Sequence, residues 1–136
     1  MDFLLKGQPA SRGLAHGRVA IVNEWHSGIV LARGRVLVAR FPLPVLSPAL
    51  NQAEALVCAY GGALSSLVTL AREFRIPTVI GLGEAIAQLA EGDEVWVDGH
   101  SGTVSSFDTH GAWSVSIQNI SYIGGAQHEI GDSAIA

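Results

Sequence analysis

Residues 61 to 81 read GGALSSLVTLAREFRIPTVIG, and this run joins a glycine-rich turn, a capped amphipathic helix and a buried strand. Gly61 and Gly62 free the backbone to take φ > 0 and to lie close to a ligand, and Ser65 supplies the short hydroxyl that suits an N-cap. From there Leu67, Leu70, Ala71 and Phe74 recur at i, i+3, i+4 and i+7, a stripe that predicts a helix over 66–74 with Thr69, Arg72 and Glu73 outward. Pro77 ends the pattern and pushes Ile76 to extended geometry, so Thr78 to Ile80 reads as a short buried strand closed by Gly81. Leu56 to Ala59, just before the glycines, reads as another strand. The turn therefore lies at a strand C-terminus and a helix N-terminus, where unpaired N–H groups and the positive end of the helix dipole favour an anion. Gly61, Gly62 and Ser65 are the phosphate-binding candidates this places.

The order Gly-Gly-x-Leu-Ser-x, Ala-Arg-Glu, Ile-Pro-x-Val-x-Gly resembles the signature of the swivelling phosphohistidine domain of phosphoenolpyruvate-utilising enzymes. Phosphoenolpyruvate synthase, pyruvate phosphate dikinase, enzyme I of the sugar phosphotransferase system and rifampin phosphotransferase belong to that family. Gly7, Ser11, Gly13, Gly17, Val19 and Ile21 fit its opening, and Gly-Asp-x-Val-x-Val-Asp-Gly with a following Gly-x-Val fits its end, so the likeness runs from about Gly7 to Val104. It implies an α/β fold, a compact three-layer β/β/α domain with a glycine-rich strand-turn-helix at the site. It also implies residues 1–106 as the swivelling domain and 107–136 as a C-terminal extension.

In that family the residue after the serine is a histidine that carries a phosphoryl group between two distant sites. Here that catalytic position holds Ser66. An imidazole is nucleophilic near neutral pH and forms a labile phosphoramidate, whereas a serine hydroxyl needs a base and gives a stable ester. The expectation is a mobile domain inactive in transfer; a non-catalytic binding or regulatory module that keeps the anion pocket is the alternative. The likeness implies no cofactor on this chain, only phosphoenolpyruvate or ATP with Mg2+ on partner domains. The implied partner is a separate nucleotide-binding or phosphoenolpyruvate-binding protein, because 136 residues contain neither an ATP-grasp fold nor a barrel. Arg72 is the further phosphate-binding candidate: it binds a partner-held phosphate by resemblance, or pairs with Glu73 or solvent on ordinary grounds.

The rest of the chain agrees with one soluble domain. With 49% hydrophobic residues and a mean hydropathy of +0.35, it can bury a core without metals or disulfides. Eight Lys and Arg against twelve Asp and Glu, with no basic cluster, argue against nucleic acid and acidic membranes as partners. Cys58 in the apolar run 55–59 reads as a reduced core thiol. The start MDFLLKGQPAS lacks a basic export n-region, and no run reaches the ~20 apolar residues of a membrane span, so a cytoplasmic location is expected.

Gly7 to Gly17 reads as a loop, Arg18 to Asn23 and Val36 to Phe41 as strands, and Trp25 to Gly28 as a turn. Pro42, Pro44 and Pro48 predict a rigid, non-helical segment before a helical turn within 49–55. Ala85 to Leu89 reads as a short helix, and Glu94 to Asp98 with Val104 as a hairpin. In the tail, Trp113, Val115, Ile117, Ile120 and Tyr122 suit edge strands, with a polar, mobile end expected from Gly124.

The histidines, His16, His26, His100, His110 and His128, show no metal-ligand spacing. His16 or His100 is the candidate substitute acceptor if the fold brings either to Ser66. Ser65 and Ser66 lack the Gly-x-Ser-x-Gly frame of a hydrolase elbow.

Overall fold

In a computed structural model, residues 2–22, 33–107 and 121–123 are described, the last three as backbone only. Three strands at the centre explain the architecture: β4 (Arg35–Ala39), β5 (Ala55–Cys58) and β6 (Thr78–Ile80) are parallel neighbours. Each is short and, apart from Arg35 and Thr78 at their starts, apolar, and β5 and β6 are buried at every residue, as parallel strands covered on both faces must be. Alternation then sends Leu37, Ala39, Leu56, Cys58 and Ile80 to one face, where they pack with Leu67, Val68 and Ala71 of the helix α2 (Ser66–Glu73). Val36, Val38, Val57 and Val79 go to the other, against Leu5, Val95, Val97 and Val104.

The valine face is covered by β1 (Phe3–Lys6), β7 (Glu94–Asp98) and β8 (Thr103–Ser105), so helix, parallel strands and antiparallel strands form three layers, a compact α/β swivelling-domain architecture. The two strand layers are one hydrogen-bonded sheet folded over. With β2 (Gln8–Ser11), β3 (Leu14–Ile21) and β9 (Ser121–Ile123), its order is β2-β6-β5-β4-β3-β7-β8-β1-β9. The fold-over occurs in β3, whose residues 14–18 pair with β7 while residues 18–21 pair with β4. At the other crossing, Gly7 joins β1 to β2: its N–H donates to Gly102 O at 2.7 Å, and an added Cβ would stand 2.5 Å from Ile80 O.

Several elements depart from the sequence expectation. The loop expected over Gly7–Gly17 contains β2 and the first half of β3. Their pairings are with distant strands, their burial is partial, and the register slips between Pro9 and Ser11, so no clean alternation marks them. β1, which also pairs with a distant strand, was not anticipated. The β3 strand starts earlier than Arg18 and, like β4, ends earlier than expected. The proline segment is helical: Pro44–Leu46 forms a 3-10 turn and α1 (Ser47–Leu50) follows, with prolines only in first turns, where the missing N–H has no helical acceptor to lose. Gly83–Gln88 is a 3-10 helix, and Leu89 is already extended. The β7–β8 hairpin forms, as does β6 over the expected residues. β9 is an edge strand parallel to β1 and includes Tyr122. The turn expected at 25–28, the positions Trp113, Val115, Ile117 and Ile120, and the tail from Gly124 lie outside the described residues.

Candidate functional site

The C-terminal end of β5 delivers the chain through Ala59 and Tyr60 into the glycine turn. Gly61 has φ +121, and a Cβ there would lie 2.6 Å from Pro42 Cδ, so both conformation and space require glycine. Gly62 is different: a Cβ would meet nothing within 4 Å, and its φ is not in the left-handed range. Its open face leaves room beside the backbone.

Ser65 takes the N-cap geometry, φ −63 and ψ 151, and its Oγ accepts from Val68 N at 3.3 Å. Its own N–H donates to Gly62 O at 3.1 Å, while its carbonyl accepts from Thr69 N at 3.0 Å. The helix leaves Ser66 N and Leu67 N without an acceptor among the described residues, the orphan donors of a helix start. Ser66, the first helical residue, is exposed, and no described side chain hydrogen-bonds its hydroxyl. Gly61, Gly62, Ser65 and Ser66 are thus brought together in one exposed turn.

Tyr60 borders the turn. Its hydroxyl donates to the Glu84 carboxylate, and that bond, with lesser help from desolvation and the nearby negative charge, raises the phenol above its ordinary pKa. Phe41 lies 5.5 Å from the Tyr60 ring, and the Arg40 guanidinium carbon 5.8 Å from its centroid. Phe41 and Leu64 are large apolar side chains left in solvent here, Leu64 at 91% exposure. Sequence reasoning missed this rim, because Phe41 and Tyr60 meet only through the pairing of β4 and β5. Cys58, one residue before Ala59, is buried, and burial pushes its thiol up to about 12, which removes it as a neutral-pH nucleophile.

Arg72 is not at this turn. It lies six residues along α2 from Ser66, about 9 Å down the axis. Its Nε donates to Ala10 O of β2 at 2.7 Å, and it lines a separate cavity with Arg12, Arg75 and His100. His16 stacks on Trp96 at 4.2 Å; neither His16 nor His100 shares a described cavity with Ser66. Residues His26, His110 and His128 lie outside the described residues. Among the described residues no three His, Cys, Asp or Glu side chains gather as metal ligands, and no helix is long and apolar enough to cross a membrane.

The end of α2 is also informative. Ile76 N donates to Ala71 O at 2.9 Å and Arg75 N to Arg72 O at 3.2 Å, the paired bonds of a Schellman motif. The left-handed position that usually takes glycine is Arg75, φ +59, a conformation that disfavours a side chain by about 1–2 kcal/mol.

The site is thus a parallel β-strand, an open glycine turn and a helix start whose first N–H groups have no acceptor among the described residues, an arrangement of the kind that favours anions. A family model described as "PEP-utilising enzyme, mobile domain" matches residues 31–102, and the chain belongs to that family. It is 37% identical over 103 residues to the "Probable phosphoenolpyruvate synthase" of Methanothermobacter thermautotrophicus, covering 76% of this chain and 15% of that one. It is 36% identical over 99 residues to the "Uncharacterized phosphotransferase YvkC" of Bacillus subtilis, covering 73% of this chain and 12% of that protein. The chain therefore spans about one seventh of these relatives or less. Aconitase X of Thermococcus kodakaraensis has a similar fold, with TM-score 0.58 and 22% identity over 77% of this chain and 98% of that one.

Proposed function

We propose that this chain is a phosphotransfer mobile domain that keeps the docking scaffold and anion turn but does not shuttle a phosphoryl group itself, because Ser66 occupies the acceptor position. The observation that carries this reading is the state of Ser66: it is exposed at the first turn of α2, beside N–H donors without a described acceptor, and no side chain among the described residues hydrogen-bonds its hydroxyl as a base would. Partner domains bind nucleotide or phosphoenolpyruvate with Mg2+, and the apolar rim of Phe41 and Leu64 meets them. Gly62 and the N–H groups of Ser66 and Leu67 receive the partner-held phosphate, with the Ser65 hydroxyl proton as a further donor. The bare Ser66 hydroxyl also favours a second reading, a non-catalytic binding or regulatory module that retains the fold and the anion turn.

The test is Ser66→His mixed with a phosphorylating partner known to act on a related domain. The variant is expected to acquire an acid-labile, base-stable phosphoryl group that the parent does not form. Labelling of the parent at a histidine would show that another residue is the acceptor. A folded but unlabelled variant would favour the regulatory module.

A further inference from the structure

Three of the eight basic residues of this acidic chain, Arg12, Arg72 and Arg75, line one open cavity of about 720 Å³ together with His100. Among the described residues no carboxylate lines it. Glu73 and Asp98, each one residue from a lining position, are outside the lining, and Asp98 accepts from His100 N and Ser101 N. The side chains of Arg12 and Arg75 have no hydrogen-bond or ion-pair partner among the described residues. Arg72 is anchored through Nε to Ala10 O, which fixes the side chain and leaves its terminal nitrogens without a described acceptor.

The walls are rigid. Gly99 N donates to Gly13 O at 2.7 Å, and a Cβ on Gly99 would stand 1.8 Å from Ser11 O, so the β7–β8 loop is clamped against β2. A helix end alone accounts for Arg72 and Arg75, whose charges suit the negative pole of the dipole. It accounts neither for Arg12, which comes from the β2–β3 connection, nor for an arginine in the left-handed position that glycine fills without strain.

We propose that this cavity is a binding site for a small anion bearing two or more phosphate groups, separate from the glycine turn. Guanidinium forks match phosphate oxygens in pairs, and three of them with an imidazole exceed what one phosphate needs. The volume is in the range of small-molecule sites. The net charge of −4 repels polyanions at long range, so affinity has to arise from these local groups.

The experiment is a titration of the full chain with sodium pyrophosphate at fixed ionic strength, followed by amide chemical shifts and calorimetry, with citrate as the non-phosphate comparator. Saturable binding is expected, with shifts at Arg12, Gly13, Arg72, Arg75 and Gly99, and weaker binding of citrate. Arg12→Ala and Arg75→Gly each weaken binding by about tenfold or more, the loss of a charge-assisted hydrogen bond. Arg75→Gly also relieves the left-handed strain, so its melting temperature does not fall and the lost affinity cannot be unfolding. Arg18→Ala removes one charge outside this lining, where Arg18 pairs with Glu94, and leaves affinity unchanged. No saturable binding, shifts confined to 61–67, equal affinity for citrate, or equal weakening by Arg18→Ala would each overturn the proposal. None of these outcomes bears on labelling at Ser66→His.

Discussion

Gly61→Ala isolates what the first glycine of the turn contributes, because two separate terms act at that position and a second substitution removes one of them. A φ of +121 lies in a region that essentially only glycine occupies, and forcing alanine there costs about 1–3 kcal/mol. The new methyl would also sit 2.6 Å from Pro42 Cδ and 2.7 Å from Cγ, an overlap of the kind that costs about 1–3 kcal/mol in a packed setting. Together they predict a loss of about 2–6 kcal/mol, a large part of the ~5–15 kcal/mol stability of an ordinary domain. With a urea slope of about 2 kcal/mol/M, the unfolding midpoint drops by roughly 1–3 M. Pro42→Ala deletes both clashing atoms. In a double-mutant cycle it therefore returns the steric term, about 1–3 kcal/mol, and leaves the backbone term. Gly62→Ala, with nothing within 4 Å of its Cβ, stays within about 0.5 kcal/mol of the parent. Equal effects of the two alanines, or a cycle with no coupling to Pro42, would refute this account of the turn.

Ser65→Ala removes the cap on Val68 N and is expected to lower stability by about 1 kcal/mol in urea unfolding, whereas Ser66→Ala changes it by less than about 0.5 kcal/mol. Arg72→Ala loses the bond to Ala10 O, with an expected loss of about 0.5–1.5 kcal/mol and faster amide exchange in β2; unchanged exchange there would contradict the anchoring role. Cys58 stays protonated in the fold up to about 12, while the unfolded thiol ionises near 9.0. Its contribution is thus complete below pH 9 and lost as pH rises toward 12, by up to about 1.4 kcal/mol per pH unit. Cys58→Ala should flatten that part of the stability profile whatever it does to the absolute value, and the native thiol should resist disulfide reagents at pH 8.

What the sequence disclosed was what is encoded locally. The start of α2 is set by Ser65 bonding three residues on, and its end by a Schellman turn followed by Pro77, so 66–74 was legible to within a residue. The strands β5 and β6 were legible because burial on both faces makes them apolar at all but one position, Thr78. The first seventeen residues were not, since β1, β2 and the start of β3 take their meaning from partners far along the chain: Leu5 from Val104, Pro9 from Val79, Leu14 from Asp98. Glycines that read as loop signals are instead the places where the chain passes between layers, as Gly7 shows against Ile80 O. The candidate turn was readable for the same local reason as the helix. The company of Arg72 was not, because Arg12 and His100 reach it only through the folded sheet.

Residue 66 sits among the locally encoded features. Ser66 contributes its backbone to the start of α2, while its hydroxyl makes no described bond and its surface is exposed. The elements that fix the turn are Gly61 against Pro42, the Ser65 cap and the Leu67, Val68 and Ala71 face in the core, and none of them needs an imidazole at residue 66. Exchange at a first-turn position costs well under ~1 kcal/mol in helix propensity. The identity of the side chain at residue 66 and the integrity of the scaffold are therefore energetically uncoupled. On the reading proposed above, a mobile domain built this way keeps its fold and its exposed turn with a serine in place of the phosphoryl acceptor.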